Sequence, residues 1–473
     1  MQDLVSKPAN RGANSSDAKG PLGALLAVVG ATLLLTLDSS TVNVALPHVR
    51  TDFGVGSEVT WVITAYLLAA MMSMPMTGWF VAKWGTRRTF LGTIVGFGVG
   101  SLLVAAAPNL QTLIAARAFV GLVSAPMIPV SMLIVARVYP AERRGWAISV
   151  WSIAAVLGPA LGPSLGGKVA DALSWRWVFL GVPPLAVVAF VLAWQAIPDV
   201  DERDHNARLD KVGLILGPPG LVVLILALSR GRTWGWTSPI TISLILASGA
   251  LLVAFVRRSM RIDEPLLDVT LLRVPRFALG SLLVALATGT MMSRVVFVPL
   301  ELSDVRNYST TRIGLLFLPI AVATAVGMVA AGRVTDRRGP RSPLIAGAAF
   351  LVVGCFSISR WSPTTSSTMI IASMLLHGVG QGLYMGPTVV VALSKMPAAR
   401  VGQASTLRQV IQQLGGASVS ALLGTLLGAH RDNVRSVGKI QNAYNLVFAV
   451  SAVIAGVLFV LTLRIPKGTM HDS

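Results

Sequence analysis

Gly78-Trp-Phe-Val-Ala82-Lys-Trp-Gly85-Thr-Arg87-Arg88 returns late in the chain as Gly332-Arg-Val-Thr-Asp336-Arg337-Arg338-Gly339-Pro-Arg341. Both segments keep the spacing Gly-x(6)-Gly-x-Arg, and both follow the second apolar run of a series. The matches are short, so their equivalent positions carry the weight, and they point to a chain built from two related halves. A membrane helix needs about twenty mostly apolar residues. Outward from the two segments, such runs lie at 22–47, 59–81, 88–107, 110–136, 147–170, 176–197, 211–230, 238–256, 277–301, 313–332, 343–360, 368–394, 404–429 and 442–464. The expected fold is an all-α polytopic membrane protein of fourteen helices, with both termini on the same side.

Composition agrees with this reading. Hydrophobic residues make up 54% of the 473-residue chain and charged residues 12%, with a mean hydropathy of +0.71. Soluble domains carry about a quarter charged residues, so this chain lacks the charge to cover a core in water. The net charge of +19 does not indicate nucleic acid, because the basic residues sit in short breaks between apolar runs, with no basic face interleaved with aromatics. A cytoplasmic N-terminus gathers most Lys and Arg residues on the cytoplasmic side, which gives an N-in, C-in topology in the inner membrane. No small-residue cleavage site follows the first run, which Asp38 interrupts, so a retained first helix is expected rather than a signal peptide. The single Cys355 excludes an intrachain disulfide.

The expected organisation is a cytoplasmic tail (1–21), a first six-helix bundle (22–197) and a cytoplasmic connector (198–210). Two extra transmembrane helices follow (211–256), then a cytoplasmic linker (257–276), a second six-helix bundle (277–464) and a final tail (465–473). Within the linker, Leu266-Leu267 and Leu271-Leu272 suggest a short amphipathic helix on the membrane surface.

Asp38 lies deep in the first run, roughly 24 Å along the helix at about 1.5 Å per residue. A carboxylate at that depth costs free energy, so it should face a cavity or a partner, and binding a proton relieves that cost. Asp38 is therefore a candidate proton carrier; the alternative is a structural Asp held by Ser39, Ser40 or Thr41. Arg117, inside the fourth run, stays charged when buried and needs a counter-charge or water; the alternative is an arginine reaching out from a helix end. Arg294 and Glu301 stand two turns apart on one face of the ninth helix, as part of a substrate or proton path or as a structural pair. His377, near Gln381, could join a relay or simply pack. Gly158, Gly162 and Gly166 line one face of the fifth helix, where small residues let helices approach closely. Pro159 and Pro163 should bend that helix, and a smooth, bent face would suit two halves that rock against each other; static packing, as expected for Gly92, Gly96 and Gly100, is the alternative. Gly162-Pro-Ser-Leu-Gly166 matches a hydrolase elbow formally but lacks its strand-to-helix context. Neither HExxH nor a GxxxxGK phosphate loop occurs, so no enzyme activity, metal, ATP or other cofactor is expected.

At these segments the chain resembles the major facilitator superfamily, and more narrowly its fourteen-helix drug:proton antiporter family of multidrug efflux type. Leu37-Asp38-Ser-Ser-Thr-Val-Asn43-Val-Ala-Leu-Pro47 resembles the first-helix motif and Trp61-Val-Ile-Thr-Ala-Tyr66 the second helix. Gly78 to Arg88 resembles the loop motif, Arg117 to Gly121 the fourth-helix arginine motif, Gly158 to Gly167 the antiporter motif, and Trp175 to Phe179 the sixth-helix start. The resemblance implies that Asp38 couples protons with help from Arg117, and that the glycine-rich fifth helix forms the interface between halves. Gly78, Gly85, Arg87, Arg88, Gly332, Asp336, Arg337 and Gly339 would latch the cytoplasmic side. Asn43, Tyr66, Arg294, Glu301, His377 and Gln381 are candidates for the substrate cavity. A proton gradient would drive export of an amphipathic organic compound or antibiotic, with a metabolite exporter, or a non-transporting receptor or enzyme, as alternatives. A periplasmic adaptor is a partner by family analogy only. Ala82 stands where the first loop motif normally carries an acid, and Val120 where the fourth-helix motif often has Gln.

Overall fold

The computed structural model describes residues 19–199, 209–262, 265–308, 310–394, 396–397, 400–431 and 436–465. Most of both tails, most of the 198–210 connector, and Asp263 and Glu264 of the linker fall outside the described residues. Each of the fourteen expected runs has a helical counterpart. These are α1 (Lys19–Phe53), α2 (Glu58–Trp84, with a 3-10 turn at Met74–Met76), α3 (Thr86–Ala105), α4 (Leu110–Val138, interrupted after Ser124), α5 (Ala141–Ala172), α6 (Trp175–Ala196, interrupted at Gly181) and α7 (Lys211–Trp234). The chain continues with α8 (Pro239–Ser259), α9 (Pro275–Arg306), α10 (Thr310–Arg338), α11 (Arg341–Ile358), α12 (Ser367–Leu393), α13 (Val401–Arg431) and α14 (Val437–Leu463). Thirteen of these contain spans long and apolar enough to cross a bilayer among the described residues; α5, at 32 residues, is the other. No strand occurs among the described residues. In lipid, only a helix satisfies its own backbone polar groups without a closed barrel.

Helix pairing repeats between halves. In the first bundle α1 packs on α5, α2 on α4 and α3 on α6; in the second α9 packs on α13, α10 on α12 and α11 on α14. The halves meet through α5 against α10 and α12, and through α13 against α2 and α4. The extra helices α7 and α8 pack on each other, and α7 also touches α2 and α13, bridging the halves at one flank. Exposed Val95, Leu102, Val187, Val188, Leu246 and Val253 form the kind of apolar outer surface that suits lipid.

Among the described residues the 257–276 linker forms no amphipathic surface helix. Val269–Arg273 is a single 3-10 turn; Leu266, Leu267 and Leu271 are buried in protein, and of the four leucines Leu272 alone is exposed. Leu266 and Leu267 join Phe255, Leu221 and Val410, while Leu271 joins Phe277 and Leu407. Asp268 caps the turn through the Thr270 amide (3.0 Å). The paired leucines read like one face of a helix because leucine is equally apolar in lipid and in a protein core.

At the opposite end of the molecule, Asp52 accepts hydrogen bonds from Arg176 (2.6 Å) and the Trp175 indole (3.0 Å), tying α1 to the start of α6. The Arg176 bond, with Trp175, holds the Asp52 carboxyl below its usual range. Its contribution is therefore present above the ordinary carboxylate pKa and lost as pH falls through the lowered one. Asp52→Asn is expected to cost less than about 1 kcal/mol at neutral pH because the pair is solvent-screened. That difference should vanish in thermal melts well below pH ~4.

Candidate functional site

Asp38 and Arg117 meet in the middle of the first bundle. Arg117 Nη1 donates to Asp38 Oδ2 at 2.8 Å, and the side chains are 2% and 1% exposed. The guanidinium lies over the ring of Tyr66 (4.7 Å to the centroid) and is edged by Phe179 (5.9 Å). α4 can place Arg117 there because Gly121, one turn on, lets its backbone approach the Tyr66 carbonyl of α2; any Cβ at Gly121 would strike that oxygen. Asp38 Oδ1 and Arg117 Nε are buried with no hydrogen-bond partner among the described residues. The carboxylate is thus held by one strong bond and keeps a second oxygen free, so the pair can change its hydrogen bonding when a proton arrives. Asn43 is not part of this constellation: it is exposed and bonds its own helix at Ser39 and Ser40.

The glycine face of α5 is turned to α1, not to the other half. Thr36, Ser40 and Thr41 hydroxyls donate to the carbonyls of Ala154 (3.0 Å), Gly158 (3.0 Å) and Gly162 (3.3 Å). A Cβ on Gly158, Gly162 or Gly166 would collide with Thr36, Ser40 or Thr41 respectively. The stripe therefore locks the Asp38 helix in place inside one bundle; the fifth helix does meet the other half, as expected, but not through this glycine face. Small residues at that spacing specify close approach but not the partner. α5 runs unbroken through Pro159 and Pro163, whose side chains lie outside the described residues.

The contact between halves uses the start of α5 instead. Asp336 Oδ2 accepts from the Trp146 amide (3.0 Å), and a Cβ on Gly332 would meet Ser149 Cβ at 2.8 Å. A carboxylate beside the N-terminal turns of a helix also meets the favourable end of its dipole. Gly85 (φ +81°) and Gly339 (φ +79°) occupy equivalent left-handed turns that residues with a Cβ rarely adopt. In the first copy a Cβ on Gly78 would meet Gln403 of α13 at ordinary contact distance, 3.7 Å, and Ala82 supplies no carboxylate. Arg87 instead donates to the Trp194 carbonyl and lies over its ring (4.7 Å), while Arg88 and Arg337 are exposed. Both contacts lie at the end where the basic loops gather. Ala82→Asp is expected to add the missing bond, worth about 1.5 kcal/mol or roughly tenfold in the open–closed equilibrium. Transport assays should show a lower turnover; unchanged kinetics would remove Ala82 from the latch.

In the second bundle Arg294 and Glu301 do not pair. Glu301 is fully buried and faces Arg306 (Nε–Oε1 3.4 Å), whose guanidinium also donates to the carbonyls of Ser362 (2.6 Å) and Thr365 (2.9 Å). This ties the outer end of α9 to the α11–α12 loop, because five residues on, at the helix end, a closer cation was available. His377 and Gln381 are buried on α12. Gln381 Nε2 donates weakly to Ala287 (3.5 Å), and neither His377 ring nitrogen makes a well-formed hydrogen bond among the described residues. Arg408, which the sequence reading did not single out, is also buried, with Nη1 and Nη2 held only by Gln412 (3.0 Å) and Gln409 (3.3 Å). Its position four residues inside the 404–429 run was the available signal.

Two six-helix bundles of matching pairing, bridged by an extra helix pair and enclosing buried charges, define a multi-pass transporter of the inner membrane. The chain belongs to the Major Facilitator Superfamily, whose sequence profile matches residues 28–420. It is 31% identical over 427 residues to the multidrug export protein EmrB of Haemophilus influenzae, covering 89% of this chain and 83% of that protein. It is 32% identical over 410 residues to the puromycin resistance protein pur8 of Streptomyces alboniger, covering 85% and 81%. Among solved structures, the proton:xylose symporter XylE superposes with a TM-score of 0.66 at 17% identity, over 96% of this chain and 98% of that one. The human organic anion transporter MFSD10 also gives 0.66, at 15% identity, over 95% and 100%. At such identities these likenesses speak for the fold alone.

Proposed function

We propose that the chain is a proton-coupled antiporter that exports amphipathic organic compounds by alternating access. The observation that carries this reading is the Asp38–Arg117 pair, 2.8 Å apart and sealed from solvent in the first bundle. A proton arriving on Asp38 cancels the charge that holds Arg117 and frees the α1–α4 contact. That local change can bias the rocking of the halves, whose latch at Asp336 and α5 is a separate contact that closes and opens. Similarity to exporters of drugs supports the direction of transport. A drug-susceptibility panel in cells expressing wild type or Asp38→Asn tests it. Wild type should raise resistance to at least one amphipathic compound and Asp38→Asn should not. A panel on which the two never differ would leave a dedicated metabolite exporter as the better reading.

A further inference from the structure

We propose that Arg294 is the docking point for a negatively charged group of the exported compound, so that the preferred cargo is an amphipathic anion such as a carboxylate. This rests on the export reading above and adds the chemical class of the cargo. Arg294 sits in the body of α9 and is 7% exposed, yet it makes no hydrogen bond or ion pair with any described residue. Its Nε is enclosed and unbonded, so the terminal nitrogens are the accessible part of the guanidinium. Arginine does not escape burial by losing its proton, and an unpaired buried charge is strongly unfavourable. A protein retains such a group where a partner supplies the counter-charge during its cycle.

The surroundings fit an amphipathic anion. The Phe317 ring lies 5.9 Å from the guanidinium carbon and offers apolar surface. On α12, His377 is fully buried, and Gln381, 1% exposed, has its carbonyl oxygen unpaired. Asp38 and Arg294 both lie inside the first helix of their half, but among the described residues only Asp38 has a charged partner within the chain. Arg117 answers Asp38 and Arg306 answers Glu301, whereas Arg294 has no acidic partner among the described residues. A cationic cargo would meet the Arg294 charge unfavourably, and a carboxylate would gain a charge-assisted bond.

The test uses the purified full-length chain in proteoliposomes with an imposed pH gradient and three fluorescent probes: dansylglycine, its neutral amide and dansyl choline. Wild type should move the carboxylate faster than the amide and the cation slowest. Arg294→Gln should lower the carboxylate-to-amide ratio roughly tenfold, the size of one charged hydrogen bond, while Arg294→Lys should keep part of it. A merely structural role would slow all probes together and leave the ratio unchanged, which would overturn the proposal, as would a wild-type preference for the cation. A wild type with no preference for the carboxylate but with Asp38-dependent resistance intact would overturn this proposal and leave the export reading standing. If wild type moved no probe and conferred no resistance, both would fall.

Discussion

Asp38→Asn is expected to abolish gradient-driven export while leaving substrate exchange across the membrane measurable. Asparagine keeps the shape of the side chain but cannot alternate between charged and neutral forms, so on the proposed mechanism it would remove the coupling step and not the cavity. It also leaves Arg117 buried opposite a neutral group, with Nε already unsatisfied. Breaking one side of such a pair typically costs about 3–5 kcal/mol, so the variant should also melt at a lower temperature. These two effects can be separated. Asp38→Asn combined with Arg117→Gln removes the stranded charge and should recover much of the stability without recovering gradient-driven transport. If the double variant regained uphill export, the pair would be structural and the coupling group would lie elsewhere. If Asp38→Asn still exported against a gradient, proton coupling through this residue would be ruled out.

Much of the fold was legible because lipid imposes a simple rule: runs of about twenty apolar residues become helices. All fourteen expected runs have helical counterparts, and the doubled loop reappears as two left-handed glycine turns at Gly85 and Gly339. Asp38 and Arg117 stood out because charge at membrane depth is expensive, and they prove to be neighbours. What stayed hidden was partner choice. Helical periodicity states which residues share a face, as it did for Gly158, Gly162 and Gly166 and for Arg294 and Glu301, but not what that face meets. α1 took the glycines, and Arg306 took Glu301. Leu266, Leu267 and Leu271 were misread for a related reason, since hydropathy does not distinguish lipid from protein interior.

Gly158→Ala should be among the most damaging single methyl groups that could be added to this protein. A Cβ there would fall 2.7 Å from the backbone carbonyl carbon of Thr36 and onto its side chain. A side-chain clash can be relieved by rotation, but a clash with backbone requires α1 to move. Thr36 also bonds the Ala154 carbonyl at 3.0 Å, so separating the helices breaks part of the seam at the same time. Overpacking of this kind typically costs about 1–3 kcal/mol. Asp38 lies only two residues beyond Thr36 on the same helix, so a shift of α1 displaces it from Arg117, with a bond of 2.8 Å to lose. Gly158→Ala is therefore expected to lower both melting temperature and transport, and to mimic part of the Asp38→Asn defect. Gly92→Ala is the matched control, because nothing lies within 4 Å of a Cβ at that position on α3. The variant should match wild type in both measurements. Equal behaviour of the two alanine variants would mean that the α1–α5 seam tolerates separation, and that the position of Asp38 does not depend on the glycine face of α5.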